Sequence, residues 1–173
     1  SATAAEEFFL AGMSDVFQRI STSVTHQYPV TVFYAFRQAE KSEEGRWSTG
    51  WEVFLQALLD SGLSIRGSWP VRTELTGNLK KNWNALASSI VLVCRKREDD
   101  AGVITRSELM NELRKELRQG IEVLQRSMVP PVDIQQAAMG FGIGVFSRYR
   151  QVLEGAGRMS VRSALLLINQ LID

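Results

Sequence analysis

A single cysteine, Cys94, and a single histidine, His26, stand in 173 residues. One cysteine excludes a disulfide framework and a cysteine-based zinc finger, and one histidine excludes metal sites built on two. A Ser-His-Asp hydrolase would hang on His26 alone. No apolar run approaches the roughly 20 residues that cross a bilayer, so no membrane partner is expected. No Lys- or Arg-led secretory signal opens the chain, and the expected compartment is a reducing cytoplasm. An excess of one charge is lacking too. Lys and Arg number 20 against 19 Asp and Glu, and the net charge of +1 falls short of what a free-standing nucleic-acid clamp carries. Repeats and low-complexity tracts are absent. What remains is a composition ordinary for one folded domain. The chain opens on Ser1-Ala2-Thr3 and closes at Asp173 directly after an apolar helical stretch, as expected of a piece of a larger protein.

Phe9, Met13, Val16, Phe17, Ile20 and Val24 recur at helical spacing and predict a helix over about 5–24. Val30 to Phe36 is β-branched and aromatic with little alternation, which predicts a strand buried on both faces. Trp51, Phe54, Leu55 and Leu58 mark a second helix, ended by Gly62 in a left-handed cap. Leu63 to Trp69 alternates and reads as a strand that Pro70 stops. Ser88 to Arg95 is a third strand, nearly continuous in apolar residues. Residues 97–102 form a charged linker. Thr105-Arg106-Ser107-Glu108 is a capping box before Leu109, Leu113, Leu117, Ile121 and Leu124. Pro130-Pro131 breaks that helix. Asp133 and Gln136 cap the next, expected to run to about Glu154 and to end at Gly155 and Gly157. Ser160 caps a last helix. One helix between the first two strands predicts a parallel crossover, and the third strand should run antiparallel. The chain thus divides into a sheet region, 1–100, and a helical tail packed on it, 101–173.

Gly140-Phe141-Gly142-Ile143-Gly144 suggests a phosphate loop, but a dinucleotide fingerprint follows a strand and opens a helix. These glycines lie inside a predicted helix, where close packing explains them. His26 reads as a capping or surface residue, Cys94 as a small core residue, and Arg95-Lys96-Arg97 as a strand end that could touch phosphate. The 69–84 connection is richer, with Trp69, Arg72, Thr73, Glu74, Asn78, Lys80, Lys81, Asn82, Trp83 and Asn84. With the predicted topology it meets Tyr34, Phe36, Arg37 and Gln38 at the carboxyl edge of the sheet, where ligands of open α/β sheets bind. Aromatic rings there could stack on a base, and polar groups could read its edge.

Pro29 to Gln38, Gly50-Trp51-Glu52, Trp69-Pro70-Val71-Arg72-Thr73-Glu74 and, most specifically, Asn84 to Arg95 are similar to one family. So are Pro131-Val132-Asp133, Gln136-Ala137-Ala138, Ser147-Arg148-Tyr149 and Ser160-Val161-Arg162 through Ile168-Asn169-Gln170. The chain resembles, over nearly its whole length, the large adenine-specific DNA methyltransferases of prokaryotic defence islands, those with an N-terminal domain of unknown function. The resemblance implies a Rossmann-like methyltransferase sheet of which these are the last three strands, ordered first-third-second with the third antiparallel. It implies that the loop between the last two strands lines the target-base pocket, and it carries over Trp69, Arg72, Glu74 and Asn84; with Tyr34 and Arg37, which the topology puts at the same edge, these are the expected base or DNA contacts. The Asp-Pro-Pro-Tyr-type acceptor motif and the Gly-rich turn for S-adenosylmethionine do not occur in this sequence. The resemblance places both upstream, so no cofactor is expected on this piece. DNA would then be met through the full-length protein, with the upstream part of its own chain as a partner. A first strand without its upstream neighbour leaves a bare sheet edge, which predicts a homodimer. The competing reading is a non-enzymatic binding module. Its tail, with Arg106, Arg114, Lys115, Arg118, Arg126, Arg148, Arg150, Arg158 and Arg162 interleaved with Glu108, Glu112, Glu116 and Glu122, would contact DNA or a defence-system partner.

Overall fold

A computed structural model describes residues 2–34, 49–72, 88–127 and 131–172. The described residues form five helices and two three-stranded sheets, a mixed α/β fold. The chain runs α1 (Ala2–Ser23), β1 (Val30–Tyr34), α2 (Thr49–Asp60), β2 (Leu63–Arg72) and β3 (Ser88–Lys96). It continues through β4 (Val103–Thr105), α3 (Arg106–Arg126), α4 (Pro131–Ser147), β5 (Gln151–Glu154), β6 (Gly157–Arg158) and α5 (Val161–Ile172). Gly62 ends α2 at φ +84°, the left-handed conformation that glycine adopts without a Cβ penalty. No helix among the described residues is long and apolar enough to cross a membrane.

The first sheet has the order β1-β3-β2. β3 is antiparallel to both neighbours, so β1 and β2 are parallel to each other, as the topology argument required. Val30, Val32 and Tyr34 share one face with Ile90, Leu92 and Cys94, and that face meets the helices. The other face carries Thr31, Phe33, Val91, Val93 and Trp69. β1 therefore alternates half-buried and exposed residues, which corrects the expectation of a strand buried on both faces. Pro70 does not stop β2, which continues to Arg72. β2 is an edge strand, and an edge has one side on which a missing N–H costs no ladder bond.

The tail departs further from its reading. α4 ends at Ser147, well short of Glu154, and β5 and β6 follow as a hairpin whose turn opens on Gly155 at φ +59°. Of the two glycines that suggested a helix end, Gly155 is in the turn and Gly157 opens β6. β4 pairs parallel with β5, so the tail contains a small second sheet that its periodicity did not announce. α4 starts at Pro131, a residue suited to a first helical position, which puts Asp133 inside the first turn and not ahead of it.

The capping box formed as predicted. The Thr105 hydroxyl accepts from the Glu108 N–H at 3.3 Å, and the Glu108 carboxylate accepts from the Thr105 N–H at 2.7 Å. The backbone bond from Thr105, then the bond from its hydroxyl, holds the Glu108 carboxyl below its ordinary value. A depressed carboxyl stabilises the fold fully above the carboxyl's ordinary pKa and loses that contribution as pH falls through the depressed one. Thermal melts of wild type and Glu108→Gln should therefore differ most at neutral pH and converge in acid. A difference unchanged by acid would contradict the cap's electrostatic part.

One hydrophobic cluster joins both regions. Phe17 of α1, Trp51, Phe54 and Leu58 of α2, Ile65, Leu92, Leu113 of α3, Ile143 of α4 and Ile168 of α5 all belong to it.

Candidate functional site

The parallel pair β1 and β2 ends at one sheet edge, with the first residues of β3 between them. Tyr34 closes β1 opposite Ile90, and Arg72 closes β2 opposite Ser88. Two strand spacings put these ends roughly 10 Å apart. Arg37, Glu74 and Asn84 lie outside the described residues, as do Phe36, Gln38, Thr73, Asn78, Lys80, Lys81, Asn82 and Trp83.

The structure does not bring Tyr34 and Trp69 together. Tyr34 packs its ring on Trp51 and Phe54, with centroids 4.7 and 4.6 Å away, on the helix-facing side. Trp69 stands on the opposite face, in a row with Val91 and Phe33. The cause is a β-bulge between Ile65 and Gly67, where Arg66 is the extra residue. Before it, Ile65 pairs with Cys94 on the core face; after it, Gly67 and Trp69 pair with Val93 and Val91 on the outer face. One inserted residue exchanges the faces of everything that follows. The far end of the Trp69 indole folds back over Gly67, where a Cβ would lie 2.3 Å from the ring. Trp69 is 52 % exposed and Phe33 66 % exposed on this face.

The glycine run in α4 serves close packing, although Gly140 and Gly144 also line a cavity. A Cβ at Gly140 would meet Ser68 Oγ at 2.1 Å, one at Gly142 would meet Ile168 at 2.5 Å, and one at Gly144 would meet the Ile65 carbonyl at 3.4 Å. Alternate glycines thus serve β2 on one side and α5 on the other. The Ser68 hydroxyl is buried there with no hydrogen-bond partner. Beside this contact lies a cavity of about 220 Å³ lined by Arg66, Gly67, Glu116, Phe141 and Arg148 among others. Glu116 and Arg148 form a two-bonded ion pair there, and Arg66 lies 3.4 Å from Glu98. Sequence reasoning missed this pair, because the partners lie on α3 and beyond the end of α4.

The remaining candidates have structural roles. Burial pushes the Cys94 thiol up to about 12, which leaves it protonated and unreactive. His26 is exposed, 3.8 Å from Glu98. Arg95 donates to the carbonyls of His26 and Gln27, and Arg97 donates to those of Leu59, Leu63 and Ser147. These bonds tie both side chains to the backbone of neighbouring elements. Arg106, Arg158 and Arg162 pair with Glu154, Asp60 and Glu52. Glu112 accepts from the Tyr149 hydroxyl at 2.6 Å; burial first, then this bond, pushes the phenol up to about 12. Among the described residues no group of three or more His, Cys, Asp and Glu could hold a metal ion. No family model, no curated protein and no solved structure matches the chain.

Proposed function

We propose that this chain is the closing part of the catalytic sheet of an S-adenosylmethionine-dependent DNA adenine methyltransferase, supplying the target-base side of the pocket and inert alone. The observation that carries the reading is the strand order β1-β3-β2 with β3 antiparallel between two parallel strands, each preceded by a helix. That arrangement, the quoted sequence stretches and the polar and aromatic residues in the sequence 69–84 support it together. S-adenosylmethionine supplies an electrophilic methyl group when bound, but the described residues form no site that fits it. The one glycine-rich string is packed against Ser68 and Ile168, so no step is assigned through the cofactor. Methyl transfer needs donor, extruded base and acceptor motif aligned, and only one wall of that arrangement is at hand.

The expected result is no transfer of labelled methyl from S-adenosylmethionine to DNA by the 173-residue chain, and transfer when the upstream polypeptide is supplied with it. Turnover by the chain alone, or none from the complete protein on adenine-containing DNA, would overturn the reading.

A second reading, a DNA-binding tail, draws on α3. Arg114 and Lys115 have no carboxylate partner among the described residues, and Arg118 and Arg126 share Glu122 at 4.0 Å each. Duplex binding by the chain that weakens steeply with salt would favour this reading over the first.

A further inference from the structure

The two edges of the first sheet are treated differently. β2 carries the devices that discourage another strand: a bulge, a proline, the charged Arg66, and a side chain on its backbone, since Ser147 Oγ accepts from the Ile65 N–H at 2.8 Å. β1 carries none of them. Its five residues, Val-Thr-Val-Phe-Tyr, hold no charge and no proline, and their register with β3 is unbroken. No strand pairs with its other side among the described residues. Its core-facing residues Val30, Val32 and Tyr34 remain half-buried, whereas Leu92 and Cys94 beside them are fully buried, so the core itself is open at this edge. Phe33 is largely exposed, and α1, which leads into the strand, leaves Phe8, Phe9 and Val16 exposed as well.

We propose that two copies of this chain join along β1, antiparallel, across a two-fold axis through Val32. Opposite residues of an antiparallel pair share a face, so the core sides of both copies match only if paired residue numbers have the same parity. Centring on Val32 meets this and pairs the whole strand: Val32 with itself, Thr31 with Phe33, Val30 with Tyr34. Every row joins uncharged β-branched or aromatic residues, the side chains that stabilise cross-strand pairs. A chain of net charge +1 offers little repulsion to a second copy. The two three-stranded sheets become one six-stranded sheet, ordered β2-β3-β1-β1-β3-β2. Pairing of identical surfaces closes on itself, so assembly stops at two. Under the methyltransferase reading an upstream strand would take this same edge, so the dimer is a property of the chain by itself; it can stand while methyl transfer fails, and the upstream polypeptide should displace the second copy.

Light scattering of the purified chain at micromolar concentration should give the mass of two chains. Thr31→Lys with Phe33→Lys, at two exposed positions, sets like charges opposite each other in both rows beside the axis and should halve the mass while leaving the circular dichroism spectrum unchanged. Val32→Cys, with the native thiol buried, should oxidise to a covalent dimer. A monomer for the wild-type chain would overturn the proposal. So would a dimer that survives the lysine pair, which would place the contact on another surface, or a folded Val32→Cys chain that yields no covalent dimer.

Discussion

Gly140→Ala should lower the denaturant midpoint of unfolding, although alanine is the better helix former. In an open helix the change gains up to about 1 kcal/mol of helix propensity. At Gly140 the added carbon lies 2.1 Å from Ser68 Oγ and 2.4 Å from Ser68 Cβ. The hydroxyl can rotate away, but the Cβ is fixed to β2, so α4 must step back from the strand. Overpacking of this kind costs about 1–3 kcal/mol, and an overlap with an immovable atom belongs near the top of that range. A net loss of about 1–2 kcal/mol is expected after the propensity gain is subtracted. Gly12 supplies the control, because nothing lies within 4 Å of its would-be Cβ in α1. Gly12→Ala should stabilise the chain, so the same chemical change has opposite signs on two helices. Ser68→Gly should recover much of the Gly140→Ala loss in the double variant, which is the signature of two residues in contact. A Gly140→Ala chain as stable as wild type would show that α4 does not approach β2 as described.

The glycine run illustrates what a single sequence discloses. Its position inside an apolar, helix-forming stretch was enough to reject a phosphate loop, because a phosphate loop must precede its helix. Which neighbour each glycine meets was hidden, since that depends on how α4 crosses β2 and α5. The strand directions were legible from the connections: a helix fits between the first two strands, and no helical pattern separates the last two; the order β1-β3-β2 came only from the resemblance. The face of Trp69 was not. Leu63, Ile65, Gly67 and Trp69 alternate as though they shared a face, and the bulge at Arg66 leaves no mark in that pattern. The second sheet escaped for another reason. Strands of three, four and two residues are too short for any periodicity to register. Pro70 misled because its cost depends on which side of the strand lacks a neighbour. Of the six candidate contacts, Tyr34 and Trp69 were drawn together by their nearness to one sheet edge, whereas strand parity sets them on opposite faces.

Arg97→Met should cost about 3 kcal/mol, although position 97 looked from the sequence like the start of a solvated linker. Its guanidinium donates to Ser147 O at 2.9 Å and to Leu59 O and Leu63 O at 3.0 Å each. Those carbonyls close α4, lie in the last turn of α2 and open β2, so one side chain ties three elements. Two are helix carboxyl ends, where a cation also meets the favourable end of the helix dipole. Burial, then Arg158, pulls the Arg97 guanidinium below its ordinary value, and Asp60 opposes them. The group stays charged at any working pH, so the cost of its removal should not vary from neutral to mildly acid conditions. Methionine fills the volume of the stem but leaves the Ser147 and Leu63 carbonyls without this donor, and a buried unsatisfied acceptor costs about 1–3 kcal/mol. Arg97→Lys retains the charge but not the planar fork, so it should recover only part of the loss. Ser147→Ala tests the same junction from the other side, because its hydroxyl accepts from the Ile65 N–H while its carbonyl accepts from Arg97. The two substitutions should be non-additive in urea denaturation, since each loosens the end of α4 from the start of β2. Strict additivity, or an Arg97→Met chain within about 0.5 kcal/mol of wild type, would mean that the carbonyls find water and that the guanidinium does not hold the junction.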